Sequence, residues 1–142
     1  MDSIAAVPEL ILDAWPVIEW IKGREPAVYL FRSLVDDAVD GRVALSMCRI
    51  NYGEVIYSIR KWFPASEVQS ALKAFHEIPI HINSIDDGLI DAAVDLKSVY
   101  AISYADAFAA SYAMRKGLPL VTGDRELWPL AVIGLKLHWL GA

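Results

Sequence analysis

Short, continuous apolar runs alternate along this chain with longer stretches whose apolar residues recur every three or four positions. Such runs are typical of buried strands, and the recurrence is typical of helices that bury one face. The runs predict strands at 10–12, 43–47, 79–82, 118–121 and 135–139, the last an edge strand. The periodic stretches predict helices at 15–22, 26–40, 49–63, 66–75, 84–96 and 103–116, and a helical turn at 125–130. This alternation indicates an α/β fold with a central, mostly parallel sheet of four to five strands and helices on both faces.

Residues typical of helix ends mark several of these boundaries. Ser66 and Ser84 are each followed three residues later by an amide or an acid, which is the pattern of a capping box. Ser103 begins the last long helix in the same way, and Gly117 is the residue expected to end it. We therefore predict that the three serine side chains cap the helices that follow them.

The composition predicts one domain, which we expect to span residues 1–142. The hydrophobic share is 56% and the mean hydropathy is +0.36. Charged or turn-forming residues nevertheless interrupt every apolar run well below the roughly 18 residues that a membrane span needs. No basic segment followed by an apolar core begins the chain, so no export signal is predicted. The single cysteine, Cys48, cannot form an internal disulfide. We expect a cytoplasmic protein without a membrane segment, in which Cys48 packs in the core.

Four acidic residues stand where a parallel sheet gathers its ligands, beyond the carboxyl ends of its strands. Each follows a predicted strand or lies in the first turns of a helix: Asp13, Glu54, Asp106 and Asp124. Two carboxylates about 4 Å apart repel by roughly 4 kcal/mol at an effective dielectric constant of about 20, so a cluster needs protons or a cation. Mg²⁺ and Mn²⁺ favour oxygen ligands and commonly bind through a few carboxylates and a substrate phosphate. The chemistry that this predicts is phosphodiester hydrolysis.

Each of these acids also has a purely structural explanation. Asp13 and Asp124 could be ordinary turn residues or helix caps. Asp106 stands three residues after Ser103 and could complete a capping box. Glu54, near the start of a helix, could simply interact with the helix dipole. The residues taken one at a time leave both interpretations open.

The segments around the four acids resemble the PIN-domain family, particularly its VapC-like toxins, along nearly the whole chain. They read LILDA at 10–14, NYGEV at 51–55, SYADAFAA at 103–110 and LVTGD at 120–124. The resemblance implies a PIN-like, three-layer α/β/α fold and a metal-dependent endoribonuclease that uses Mg²⁺ or Mn²⁺. It implies that the catalytic and metal-binding residues are Asp13, Glu54, Asp106 and Asp124, with Thr122 assisting around the metal.

The same resemblance implies partners. Its members act on RNA as toxins of toxin–antitoxin pairs and form homodimers, and a small VapB-like antitoxin places its tail in the groove over the acids. The chain is consistent with such contacts, since its aromatic residues exceed what a small core must use. The aromatic residues that could form such a surface are Trp20, Tyr29, Phe31, Trp62, Phe63 and Phe75.

The net charge of −5 is unusual for an enzyme that acts on nucleic acid, because phosphate contacts normally come from a basic surface. The charge is compatible with such a function if the acids concentrate in one metal site and basic residues border it. The candidates for that border are Arg49, Arg60, Lys61, Arg115, Lys116 and Arg125.

One position departs from the family pattern. The family usually has serine or threonine after the opening Asp-Ala, and this chain has Trp15 instead. Replacing a small hydroxyl near the metal by an indole is expected to weaken the site or reshape substrate access. For Trp15 itself we favour packing in the core or groove over stacking on a base.

Two other functions are compatible with parts of the sequence. The first is a binding or regulatory module that keeps the PIN fold without catalysis, which the Trp15 departure and the acidic charge favour. The second is a phosphotransfer or receiver domain, which also begins with an aspartate at the end of its first strand. It fits less well, because Ala14 stands where a second aspartate is usual and no lysine follows the strand around Val121.

Overall fold

The computed structural model describes residues 6–142, and a sheet of five parallel strands lies at its centre. The strands are β1 (Glu9–Leu12), β2 (Ala44–Cys48), β3 (Ile80–Asn83), β4 (Leu120–Thr122) and β5 (Leu137–Trp139). Their order is β3-β2-β1-β4-β5, and each neighbouring pair is parallel. The predicted parallel sheet is therefore confirmed, with β5 at one edge.

The strand order changes direction at β1, which is where a parallel sheet opens a crevice for ligands. The chain adds β2 and β3 on one side of β1 and then crosses to place β4 and β5 on the other. In the register, Leu12 pairs with Met47 of β2 and with Val121 of β4. Asp13, the next residue, therefore comes level with the start of α3, which directly follows β2, and with the loop that leaves β4.

Six α-helices and one 3₁₀ helix connect the strands within residues 6–142. The α-helices are α1 (Ala14–Lys22), α2 (Ala27–Val39), α3 (Arg49–Trp62), α4 (Ala65–Glu77), α5 (Asp87–Val99) and α6 (Tyr104–Lys116). The 3₁₀ helix spans Arg125–Ile133 and so continues beyond the predicted turn at 125–130. All the predicted helices are present.

The core forms two clusters, one on each face of the sheet. Ile11 belongs to the cluster beneath α5, α6 and the 3₁₀ helix. Leu10 and Leu12, which point to the other face of the same strand, belong to the cluster beneath α1, α2, α3 and α4. Ile11 and Leu12 are fully buried, as expected for a strand that is covered on both sides. The three-layer α/β/α arrangement is confirmed.

Two of the three predicted serine caps are wrong. Helix α4 begins before Ser66, because the carbonyl of Pro64 accepts the Glu67 N–H at 2.8 Å and closes the first turn without a side chain. Helix α5 is capped by Asp86 instead of Ser84, since the Asp86 carboxylate accepts the Leu89 N–H at 2.8 Å. A charged oxygen is the stronger acceptor at a helix N-terminus, where the helix dipole also favours negative charge.

The ends of α6 follow the prediction. Ser103 accepts the backbone N–H of Asp106 at 3.0 Å. Gly117 ends the helix in the left-handed conformation, with φ of 66°, and its N–H returns to the carbonyls of Ala113 and Met114. Asp106 is thereby held in the first turn of α6, which faces the carboxyl edge of the sheet.

Two expectations from composition concern the core and the membrane. Cys48 is fully buried in the core beneath α5 and α6, as expected. Within residues 6–142, no helix combines the length and the apolar character that crossing a membrane requires. The prediction of no export signal concerns the beginning of the chain, and residues 1–5 lie outside the described residues.

Candidate metal site

The carboxyl edge of the sheet brings acids together from four elements. Asp13 directly follows β1, Asp124 follows β4, Glu54 lies in α3 and Asp106 lies in the first turn of α6. A cavity of about 120 Å³ opens at this edge, and its wall includes Glu54, Asp106 and Asp124. Asp13 lies behind this wall and is only 1% exposed. The structure thus places three of the four predicted residues around one cavity and the fourth beneath it.

A fifth acid, Glu126, belongs to the site, and the sequence did not reveal it. One carboxylate oxygen from each of Asp106, Asp124 and Glu126 lies within 4.8 Å of the other two. Asp124 caps the 3₁₀ helix by accepting the Glu126 N–H at 3.0 Å, which holds the backbone of Glu126 beside Asp124. In the sequence, Glu126 is visible only as a second acid two residues after Asp124. Whether two such acids lie close together depends on the backbone between them, which here begins a 3₁₀ helix at Arg125.

Asp13 is held by two hydrogen bonds that connect β1 with the loop after β4. The hydroxyl of Thr122 donates to one carboxylate oxygen at 2.6 Å, and the Trp15 N–H donates to the other at 3.0 Å. Thr122 is fully buried and also accepts the Asp124 N–H at 3.1 Å. Asp13 and Asp124 are therefore both helix caps, as their structural explanation proposed, and one hydroxyl links them.

The pKa values of the clustered carboxyl groups are raised. Burial raises the pKa of Asp13 to about 8, and the charges of Glu54 and Asp124 add to this effect, while the Thr122 and Trp15 hydrogen bonds oppose it. Burial also raises the pKa of Asp106, together with its hydrogen bond to Asp124 and the neighbouring negative charges. The pKa of Glu54 is raised by burial and by Asp124. Without a cation the cluster holds protons that a cation would displace.

The donor atoms suit a hard divalent cation. Within the described part of the chain, the group formed by Asp106, Asp124 and Glu126 contains only carboxylates and no imidazole or thiolate. Oxygens bound to one Mg²⁺ at about 2.1 Å are at most about 4.2 Å apart, so small side-chain rotations would complete the approach. The cluster can therefore hold an ion of this kind, and it lacks the nitrogen and sulfur ligands typical of structural zinc.

Asn51 is a second residue that the sequence did not single out. Its side chain is fully buried, and its amide donates to the Ala105 carbonyl at 3.1 Å. The same side chain lowers the pKa of Glu54, in opposition to burial. Asn51 therefore connects the helix that carries Glu54 with the helix that carries Asp106. A polar residue three positions before Glu54, on the same helix face, was the available signal.

Trp15 lies against the loop that carries Asp124. Its indole lines the cavity beside Ile18, and its six-membered ring covers Gly123 so closely that a Cβ at that position would overlap it. The glycine is thus required by close approach, and the indole forms part of the wall of the site.

Gly123→Ala is expected to destabilise the protein by about 1–3 kcal/mol, because the added methyl group must displace the Trp15 ring. The measurement is the free energy of unfolding in urea. Gly53→Ala is the matched control, since no atom lies within 4 Å of the Cβ that it would add. In the Trp15→Ser background the cost of Gly123→Ala should largely disappear. Equal costs in both backgrounds would show that the overlap with Trp15 is not the cause.

The basic residues predicted to border the site are distributed unevenly. Arg49 and Arg60 line a groove on α3, the helix that carries Glu54, and Arg125 lies between Asp124 and Glu126. Arg115 is about 14 Å further along α6 than Asp106 and binds Asp86 with two bonds of 2.8 Å. Lys116 lies 3.9 Å from Glu9, at the opposite end of β1. The expectation that all six border the site is therefore wrong for the two residues of α6.

Comparison with known proteins gives a consistent family and fold. The sequence model of the PIN domain matches residues 10–131. No curated protein matches the chain significantly in sequence. The structure is similar to VapBC2 from Rickettsia felis bound to promoter DNA, with TM-score 0.68 and 18% identity over 92% of this chain and 97% of that one. DNA-bound VapBC from Salmonella typhimurium gives TM-score 0.67 and 18% identity, covering 94% and 98%. VapC20 from Mycobacterium tuberculosis, described as a toxin that cleaves the sarcin-ricin loop, gives TM-score 0.64 and 12% identity, covering 89% and 95%.

Proposed function

The chain belongs to the PIN domain family, and on this premise we propose that it is a divalent-metal-dependent endoribonuclease, the toxin of a toxin–antitoxin pair. The observation that carries the proposal is the group of carboxylates from Asp106, Asp124 and Glu126 within 4.8 Å of one another at the carboxyl edge of the sheet. Such a cluster is costly without a cation, and in a PIN domain it stands where a phosphodiester would be cleaved.

The residues that would hold the ion are Asp106, Asp124 and Glu126, with Glu54 in the same cavity wall. Asp13 remains a proposed ligand, because a carboxylate oxygen that accepts one hydrogen bond has a further lone pair. A bound Mg²⁺ or Mn²⁺ supplies Lewis acidity for the phosphate and makes water more acidic. We favour Mg²⁺, with Mn²⁺ as the alternative.

The side chains have distinct proposed tasks. Glu54 lines the cavity and has a raised pKa, so it is suited to accept a proton from the attacking water. Thr122 holds the Asp13 carboxyl group in place behind the cavity wall through the 2.6 Å bond. Asn51 keeps Glu54 and Asp106 at a fixed separation by connecting α3 with α6.

The proposed partners are RNA, a VapB-like antitoxin and a second copy of the chain. Solved complexes of similar fold pair a VapC-type protein with its antitoxin, which supports the antitoxin proposal. Two of the aromatic residues predicted as contact surface, Phe31 and Phe75, are core residues, since they are 0% and 3% exposed. Tyr29 and Trp62 are 60% and 66% exposed and remain available for a partner. An RNA substrate would place the activity in the cytoplasm.

The experiment that tests the function is cleavage of a mixed RNA pool by the purified chain with Mg²⁺, with Mn²⁺ or with chelator. Cleavage that requires a divalent ion is the expected result. No cleavage, together with no heat of Mg²⁺ or Mn²⁺ binding in calorimetry, would contradict the proposal and favour the non-catalytic module that the Trp15 departure suggests. Co-purification with the product of a neighbouring small gene would test the antitoxin, and the mass in solution at micromolar concentration would test the dimer.

A further inference from the structure

A second cavity lies beside the acidic site, between α3 and α4. Its volume is about 440 Å³, and we call it the α3/α4 groove. None of the eight residues that line it is acidic, although the chain as a whole carries a net charge of −5. The polar residues of its wall are Arg49, Tyr52, Tyr57, Arg60 and His76. The groove is therefore a local concentration of cationic and aromatic groups on an acidic protein.

The charges of the two groove arginines are not paired with a carboxylate in the described part of the chain. Other arginines form ion pairs, such as Arg115 with Asp86 at 2.8 Å and Arg42 with Asp40 at 2.8 Å. Within residues 6–142, neither Arg49 nor Arg60 lies within 4.0 Å of a carboxylate. Both side chains are exposed, and so their charge is available to an anion from solution.

The aromatic residues of the groove have different surroundings. The Tyr52 ring already has two neighbours. The Arg49 guanidinium lies 4.3 Å from its centroid, and the centroid of the Phe75 ring lies 5.6 Å away. The Tyr52 hydroxyl lies 3.1 Å from His76 Nε2, which fixes both rings. Tyr57 is 56% exposed and offers a free ring face. Tyr52 thus positions a cation, and Tyr57 is open to stacking.

Gly53 forms part of the groove in the middle of α3, where glycine weakens a helix relative to alanine. Packing does not require a glycine there, since no atom lies within 4 Å of the Cβ that a larger residue would add. A ligand that approaches the helix backbone closely would require it. The groove therefore has the open space, the charge and the aromatic face that a nucleic acid strand uses.

The groove is continuous with the acidic site through α3. Glu54 lines the site cavity, while its neighbour Gly53 and the residue three positions on, Tyr57, line the groove. Residues three apart on a helix have Cβ atoms about 5–6 Å from each other. Partial burial and the charge of Glu54 both raise the pKa of Tyr57, which is consistent with this short separation. A strand that leaves the acidic site along α3 would enter the groove at Tyr57.

We propose that the α3/α4 groove binds the single-stranded RNA next to the cleaved phosphodiester, with phosphates at Arg49 and Arg60 and a base stacked on Tyr57. The proposal rests on the nuclease function proposed above and adds the path of its substrate. Guanidinium groups suit phosphate, and unpaired bases of single-stranded RNA stack on aromatic side chains. The net charge of −5 argues against a basic surface over the chain as a whole. The α3/α4 groove supplies such a surface locally.

The test is binding of short, fluorescein-labelled single-stranded RNA of mixed sequence to the full chain, measured by anisotropy in chelator at several salt concentrations. Chelator prevents metal-dependent cleavage, so binding is measured separately from catalysis. For Arg49→Gln with Arg60→Gln, the Kd is expected to rise about tenfold or more in about 0.1 M salt. The slope of log K against log salt should fall by about 1.4, or about 0.7 for each phosphate that is no longer neutralised.

Two controls separate the groove from total charge and from protein contacts. Arg42→Gln with Lys97→Gln removes the same charge at exposed positions outside the groove, and it should change the Kd by less than about threefold. Tyr57→Ala should weaken binding about tenfold, whereas Tyr57→Phe, which keeps the ring, should bind like the original chain.

Three results would overturn the proposal: no RNA binding by the original chain, equal weakening by the two double variants, or unchanged affinity in the groove variant. If the groove variant keeps its RNA affinity but a dimer becomes a monomer, the groove is instead an interface between copies. Measuring RNA cleavage in Mg²⁺ distinguishes a failure of the groove proposal from a failure of the nuclease proposal. A chain that cleaves RNA with an unaffected groove variant loses only the groove proposal. A chain that binds as expected but never cleaves loses the nuclease and keeps the groove as an RNA-binding site without a cleaved bond beside it.

Discussion

Asp106→Asn is expected to reduce metal-dependent RNA cleavage by about a thousandfold while leaving the protein folded. Asp106 is 5% exposed and has one of the three carboxylates within 4.8 Å of one another, so its charge would act directly on an ion held there. Asparagine has the same shape but supplies a weaker, neutral ligand. The measurements are the cleavage rate with Mg²⁺ and the affinity for Mn²⁺ by calorimetry, and both should fall together.

The same substitution should not harm the metal-free protein. Burial and the neighbouring acids raise the pKa of Asp106, so ionising this carboxyl group is unfavourable in the metal-free protein, and asparagine avoids that cost. The melting temperature of Asp106→Asn in chelator is therefore expected to equal or exceed that of the original chain, as is common for active-site residues. Asp91→Asn, an exposed acid on α5, is the matched control and should change neither cleavage nor stability. Full cleavage by Asp106→Asn would remove the acidic cluster from the mechanism.

The second large effect is on stability as a function of pH. In chelator, the free energy of unfolding is expected to fall by about 5 kcal/mol between about pH 4 and pH 9 because of Asp13 alone. The unfolded chain releases the Asp13 proton near its usual pKa of 3.8, whereas the folded protein keeps this proton until its raised pKa of about 8. The stability that the bound proton provides is complete below the lower value and is lost as the pH passes the higher one.

A divalent ion should offset about half of this loss, because it replaces the protons as the counter-charge. At a concentration of about one hundred times its Kd, an ion adds about 2.7 kcal/mol to the stability. We therefore expect Mg²⁺ to raise the melting temperature more at pH 9 than at pH 6. A metal-free melting temperature that stays constant or rises over this range would contradict the assignment of the buried cluster.

Two comparisons identify the group responsible. Asp13→Asn removes one titrating carboxyl and should reduce the pH dependence in chelator, leaving the part that comes from Asp106 and Glu54, whereas Asp91→Asn should leave it unchanged. Asp86 acts in the opposite direction, since its hydrogen bond with Arg115 lowers the pKa of Asp86 to about 2. Its contribution is lost only below about pH 4, which keeps it outside the range where Asp13 titrates in the folded state.

The nuclease proposal and the stability predictions share one physical cause. The fold brings several carboxylates close together and buries two of them, Asp13 and Asp106, which costs stability in the absence of a cation. Asn51 and Thr122 provide the bonds that hold these groups in place, at 3.1 Å to Ala105 and 2.6 Å to Asp13. Retaining such an arrangement is reasonable for a site whose task is to bind an ion and a phosphate.

The sequence by itself determined the order and kind of the elements. The continuous run before Asp13 indicated a strand buried on both faces, and Gly117 indicated the end of α6. Both features are local, because a strand or a helix end depends on residues only a few positions apart. The placement of Asp13 and Asp124 at one edge also followed from the sequence, once the strands were taken as parallel.

Only the tertiary structure decided which groups share the site and how strongly they interact. The bond from Thr122 to Asp13 joins residues 109 positions apart, and no local pattern encodes it. Glu126 enters the cluster because the segment after Asp124 winds as a 3₁₀ helix. Asp86 displaced Ser84 as a cap because a carboxylate is the stronger acceptor. Spacing in the sequence shows only the periodicity of local elements. The burial of a carboxylate and its distance from other charges arise only when distant segments pack together. Burial and charge proximity then set the pKa values and the cation site.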